Sequence, residues 1–189
     1  TEGVVVTQGT TFENAQNLSR HFIKIIKDKF HNTAIGRQEL MGEMIESSNN
    51  ALWTREMIER NRSVGEAPSY TRIVVAVDPA VTSHADSDET GIIVAALDAE
   101  GSAIILEDLS LKGTPLQWAR VAVDAYHRHK ADRVVAEVNM GGELVEQMLR
   151  SLDVSVSYKA VRATRGKDVR AEPIAALYEQ GKVKHRGSF

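Results

Sequence analysis

The sequence predicts an α/β chain: a mixed β-sheet of three antiparallel strands followed by parallel strands, flanked by helices and preceded by a mainly helical segment. Three observations predict it. Apolar residues recur at helical spacing ahead of residue 63. Three β-rich runs follow in close succession from residue 72, joined by short turns. Beyond them strand and helix patterns alternate, which is how a chain adds parallel strands to a sheet. From residue 71 the order reads βββαβαβα.

Each element has its own warrant. "GVVVT", residues 3–7, reads as a short strand. "TTFENAQNLSRHFIKIIKDKF" reads as a helix, with Leu18, Phe22, Ile25, Ile26 and Phe30 forming one apolar stripe and Asn14 or Asn17 as its cap. "NTAIGRQELMGEMIESSNNALWTREMIERNR" holds one or two more helical pieces, broken near "SSNN". "SVGEAPSY", residues 63–70, is the linker: Gly, Pro and Ser with little apolar content. Strands follow over 72–78, 91–97 and 102–107, with "DAEG" as the clearest turn. "TPLQWARVAVDAYHRHKA" is a helix with Thr114 as N-cap, Pro115 at its first position and a stripe of Leu116, Ala119, Val123 and Tyr126. "DRVVAEVN" is a fourth strand, "GGELVEQMLRSL" a helix, "VSVSYKAV" a fifth strand, and "AEPIAALYEQG" a helix ended by Gly181. The closing "VKHRGSF" reads as the edge of a strand.

Composition narrows the chemistry. The 189 residues are 42% hydrophobic, enough for one full domain or a domain plus part of another. There is no cysteine, which excludes disulfides and thiolate metal sites. No apolar run approaches the roughly 20 residues of a membrane span. The opening "TEGVVVTQGTT" lacks the basic and apolar regions of a signal peptide. A net charge of −3 hides an asymmetry. Residues 71–153 carry seven Lys/Arg against fourteen Asp/Glu, whereas residues 154–189 carry eight against three. Solvated surface explains such runs, and so does an acidic site for cations beside a basic wall for a polyanion.

The acids have suggestive places. Asp78 ends the first strand, because Pro79 cannot continue the ladder. Glu137 ends the fourth in "RVVAE". If those strands lie side by side and parallel, the two carboxylates come together and repel unless a cation sits between them. Oxygen ligands without thiolates suit Mg²⁺ or Mn²⁺. Paired ions of this kind clamp the attacking and leaving oxygens of a phosphodiester. A strand-end Asp also serves as an ordinary turn cap, and Asp86, Asp88 and His84 read equally as loop residues. Asp88 and Glu89 precede the returning strand at the same end as Asp78. Gly141 and Gly142 would let a helix start near a phosphate, or simply make a tight turn.

"TTFENAQNL", "GRQELMGEMIE", "ALW", "VVAVDPA…SDETGIIVA" and "VVAEVNMGG" together resemble the large terminase subunit of tailed bacteriophages, prophages and gene transfer agents, the motor that packages DNA into proheads. The resemblance implies a ribonuclease H-like nuclease domain over 71–189, truncated at its C-terminus, and a remnant of the ATPase domain over 1–62. It implies a Mg²⁺- or Mn²⁺-dependent endonuclease acting on concatemeric double-stranded DNA, with Asp78 and Glu137 as catalytic metal ligands and Asp88 as a third ligand. It implies the portal and the small terminase subunit as partners, a host cytoplasmic location, no membrane, and a monomeric isolated domain. Arg162, Arg165, Lys167 and Arg170 would contact DNA phosphates. Two departures stand out. No G-x-x-x-x-G-K-[ST] occurs, so residues 1–62 should be inert toward ATP. The family's last catalytic Asp, carried on a C-terminal helix, has no counterpart after Glu179. The alternative is a non-catalytic DNA-handling or portal-docking fragment. A nucleotide-binding fold of the actin and sugar-kinase type is disfavoured because "DPAVTS" has Pro and Ala where a phosphate hairpin wants Gly.

Overall fold

The computed structural model describes Thr7 and residues 9–30, 33–42, 51–63, 69–80, 89–138 and 142–187. The strand expected at 3–7 lies outside these except for Thr7, and the centre of the expected linker, 64–68, lies outside them too. In chain order the elements are a 3-10 turn (Ala15–Asn17), α1 (Arg20–Phe30), α2 (Ala34–Met41), α3 (Arg55–Arg60), β1 (Tyr70–Asp78), β2 (Gly91–Asp98), β3 (Ala103–Asp108), α4 (Pro115–Arg128), β4 (Arg133–Glu137), α5 (Gly142–Leu152), β5 (Tyr158–Val161), α6 (Lys167–Glu179) and β6 (Val183–His185). They form two compact units. Thr1–Arg60 groups with Lys167–Gly181, and Asn61–Gly166 with Lys182–Phe189.

The first unit is helical. The cap of α1 is Ser19, whose Oγ accepts from Phe22 N–H at 3.1 Å, and neither Asn14 nor Asn17 caps it. Those two bond each other instead (2.7 Å), because the chain first makes the 3-10 turn and enters the helix one step later. Of the expected stripe Ile26 is buried, while Phe22 and Ile25 remain exposed. Thr33 starts α2 by accepting from Gly36 N–H at 3.0 Å and donating to Phe30 carbonyl at 2.8 Å. Gly36 allows that turn: a Cβ there would lie 1.9 Å from the Phe30 carbonyl oxygen. α6 packs with α1, α2 and α3. Trp53 meets Tyr178 edge-on at 6.0 Å. α6 begins four residues earlier than the sequence suggested, so Pro173 is interior and leaves one rung of the helix without a donor.

The second unit is a six-stranded sheet in the order β5-β4-β1-β2-β3-β6. β1, β2 and β3 pair antiparallel, and β4 joins β1, β5 joins β4 and β6 joins β3 in parallel. The fifth strand is shorter than expected, starting at Tyr158; Val156 ahead of it is a buried loop residue. Residues 61–63 run beside β6: Ser63 N–H donates to His185 carbonyl at 2.7 Å, and His185 N–H to Asn61 carbonyl at 3.0 Å. Val75 and Val77, Ile92 and Val94, and Val134 and Ala136 share one face and are buried. Val145 and Leu149 of α5 complete that core with α4. The buried stripe of α4 is Trp118, Ala119, Ala122, Val123 and Ala125, whereas Leu116 is 47% exposed. Alanines let the helix approach the strands closely enough to bury the indole, which rotates Leu116 off the core. Each large apolar side chain so buried contributes roughly 1.5–3 kcal/mol.

Candidate functional site

Strand alternation builds the site. Successive side chains point to opposite faces, so the residue after buried Val77 must point away from the helices. That residue is Asp78, which is exposed. On β4 the same alternation buries Val134 and Ala136 and leaves Val135 and Glu137 on the other face, half-buried. β1 and β4 pair in parallel with Val77 opposite Ala136, so one further step sets Asp78 beside Glu137 on the neighbouring strand, a spacing of about 4.8 Å between strands. The condition on which the sequence argument depended, adjacent and parallel first and fourth strands, is met.

Around them lies a shallow open concavity of about 300 Å³ whose lining includes Ala76, Asp78, Ile93, Val135, Glu137 and Val161. Its floor is apolar and its acids stand at the strand ends. Gly91 is paired with Asp78 across the antiparallel ladder, and a Cβ there would come within 3.6 Å of the Asp78 Cβ. A glycine here leaves room beside the carboxylate that a longer side chain would occupy. Asp108, not singled out from sequence, pairs with Ile93 and so faces the same side, two strands away from Asp78. Its Oδ1 accepts from Ser110 N–H at 3.0 Å. The signal for it was available: β3, like β1 and β4, ends in an acid.

Asp88, expected as a third ligand, lies outside the described residues, as do His84, Asp86 and Gly141. Glu89 is described and exposed. Arg162 and Arg165 follow β5, exposed, in the same unit as the two acids. Lys167 and Arg170 open α6 and belong to the other unit, so the four basic residues divide between the two. Among the described residues no group of three or more His, Cys, Asp or Glu is placed to hold a metal ion. Asp78 and Glu137 do fit a hard divalent cation by chemistry: Mg²⁺ is commonly held by one or two carboxylates, with waters and phosphate oxygens completing its shell.

A different acid on the opposite face shows a contrasting environment. Glu107 of β3 pairs with Val94, hence toward α4, where Arg128 Nη2 donates to its Oε2 at 2.5 Å and His129 Nε2 at 2.8 Å. Partial burial raises its pKa, but the hydrogen bonds from His129 and Arg128 outweigh that and hold the carboxyl below its ordinary value. His127 bonds Asp153 at 2.6 Å, and Asp153 is also held low, first by the Ser155 hydroxyl and backbone N–H and then by His127.

The family model of the terminase RNaseH-like domain matches residues 75–188, a span that includes both Asp78 and Glu137. Among solved structures, the large terminase of a thermophilic bacteriophage superposes with a TM-score of 0.62 at 11% identity, over 93% of this chain and 42% of that one. The large terminase nuclease of thermophilic phage G20c gives 0.48 at 16% identity, over 62% and 59%. RuvC of Thermus thermophilus gives 0.43 at 15% identity, over 56% and 80%. No curated protein matches the chain. At such identities the likeness to the first of these terminases speaks for the fold, and the chain spans less than half of that protein's length.

Proposed function

The chain belongs to the terminase RNaseH-like domain family, and from that premise we propose that it is the endonuclease part of a viral DNA-packaging terminase, hydrolysing phosphodiesters of concatemeric double-stranded DNA. The observation that carries this reading is the parallel pairing of β1 with β4, which sets Asp78 beside Glu137 on the open face of the sheet. The two carboxylates would hold Mg²⁺ or Mn²⁺, with Asp88, just ahead of the returning strand, as a third ligand. Bound there, a pair of divalent ions would supply the charge that attacking and leaving oxygens need in a two-metal hydrolysis.

The chain's own residues would do the rest. The rigid strand ends fix both carboxylates before substrate arrives, so little reorganisation is left for the reaction. The concavity admits a phosphodiester backbone from solvent, and its apolar floor offers no base-reading donors, which suits cutting with little sequence preference. Arg162 and Arg165 would bind phosphates near the site, and Lys167 and Arg170 would bind DNA phosphates in the other unit. In this reading residues 1–62 are the end of an ATPase domain, residues 63–70 a linker and 71–189 the nuclease. The portal and the small terminase subunit are the partners, and the host cytoplasm is the place of action. No helix among the described residues is long and apolar enough to cross a membrane.

The test is nicking of supercoiled plasmid in Mn²⁺ by this chain, by a version lengthened at its C-terminus, and by each with Asp78→Asn. Cutting that disappears in Asp78→Asn while the variant keeps its melting temperature supports the assignment. Plasmid binding indifferent to EDTA and to Asp78→Asn, with no cutting by either length, would replace it with a DNA-handling role.

A further inference from the structure

We propose that Thr90 is a positioning residue for Asp78: its hydroxyl pins the turn beyond the carboxylate and so fixes where Asp78 presents its oxygens. The inference rests on the reading of Asp78 as a metal ligand.

Asp78 is the last residue of β1, and the turn after it decides how firmly it is held. Pro79 has no N–H, so Ala80 supplies the first backbone donor beyond the carboxylate. That donor goes to a side chain: Ala80 N–H bonds Thr90 Oγ1 at 3.2 Å. Thr90 is itself well anchored. It is 1% exposed, its N–H donates to Leu111 carbonyl at 2.9 Å, and Leu111 N–H returns to its carbonyl at 3.0 Å. The next residue, Gly91, is the ladder partner of Asp78. Thr90 therefore joins three segments at one point: the exit of β1, the entry of β2 and the stretch after β3. A buried hydroxyl could be a simple packing choice. Here it accepts from the first available donor past the acid, and its backbone is clamped to a third segment, so movement of the Asp78 exit requires breaking that bond.

Thr90→Val keeps the shape and removes the acceptor, and Thr90→Ser keeps the acceptor and removes a methyl. The full chain, labelled with ¹⁵N, is read by amide exchange at Ala80 and by Mn²⁺ titration. Thr90→Val should quicken Ala80 exchange about tenfold and weaken Mn²⁺ binding about fivefold, the size of one hydrogen bond, with Thr90→Ser returning both to within about twofold of the original. Faster Ala80 exchange with unchanged Mn²⁺ affinity overturns the positioning role and leaves Thr90 a structural residue. Asp78→Asn separates this from its premise. If the unsubstituted chain binds no Mn²⁺, or Asp78→Asn binds it equally well, the metal-site reading falls and this inference falls with it. If Asp78→Asn loses the ion and Thr90→Val does not, only the role of Thr90 fails. Should Thr90→Val not fold, Thr90→Ala makes the same comparison with less crowding.

Discussion

The two faces of the central strands of one sheet have opposite character. On the face toward α4 and α5, Val75, Val77, Ile92, Val94 and Val134 are each no more than 3% exposed and surrounded by carbon. On the other face, one residue along each strand, stand Ala76, Asp78, Ile93, Val135 and Glu137, around an open concavity. Where an acid does turn toward the helices, as Glu107 does at the margin, the protein supplies hydrogen-bonding partners, the Arg128 guanidinium and the His129 imidazole. Where acids turn the other way, two stand at adjacent strand ends. The difference teaches that, if Asp78 and Glu137 form the proposed site, stability and chemistry are separated here by a single residue step. A buried strand can therefore carry a charged end without compromising its core.

Three substitutions test that separation, the first with the largest effect. Glu137→Gln should reduce nicking by about a thousandfold, equivalent to several kcal/mol of barrier, and leave the urea midpoint close to that of the unsubstituted chain. Combined with Asp78→Asn it should add little further loss, since residues that act as a unit are non-additive. A measured sum of the two separate losses would argue that the acids do not share one site. On the core face the effect is reversed. Leu149→Ala, at a fully buried position, should cost about 2 to 5 kcal/mol in denaturant unfolding and leave Mn²⁺ affinity intact wherever the chain remains folded.

The smallest effect belongs to Glu107→Gln, about 0.5 to 1 kcal/mol for a half-exposed ion pair. It also carries a pH signature. The folded carboxyl is held below its ordinary 4.5, so its contribution is complete above that pH, shrinks as pH falls below it, and vanishes once the folded form is protonated as well. Unfolding free energy followed downward through that window should fall less steeply in Glu107→Gln than in the original chain. An identical slope would mean that Arg128 and His129 do not stabilise the charged form.

Much of the fold was legible because its signals are local. Continuous β-rich apolar runs marked β1, β2 and β4, Pro79 stopped β1, and Thr114 with Pro115 announced α4, where Thr114 N–H bonds the Gln117 side chain at 2.8 Å. The misreadings arose where a local rule met packing. Leu116 lay at helical spacing from Ala119, but the indole of Trp118 fills the space over the sheet and Leu116 faces solvent. Ser19 replaced the expected asparagine caps because a 3-10 turn comes first. Thr90 went unnoticed because nothing local distinguishes a threonine that will accept a hydrogen bond from ten residues upstream from one that faces water.

The sequence by itself determined that Asp78 and Glu137 end strands and which neighbours share their face, because side-chain direction along a strand is fixed by the pleat. It also held the motifs that place the chain in its family. Only the tertiary structure decided that β4 lies next to β1 rather than beyond β3, that α4 and α5 cover one face of these strands, and that Thr90 reaches Ala80. Those are contacts between residues far apart in the chain, set by which arrangement buries the most carbon while pairing every strand, and no local pattern encodes them.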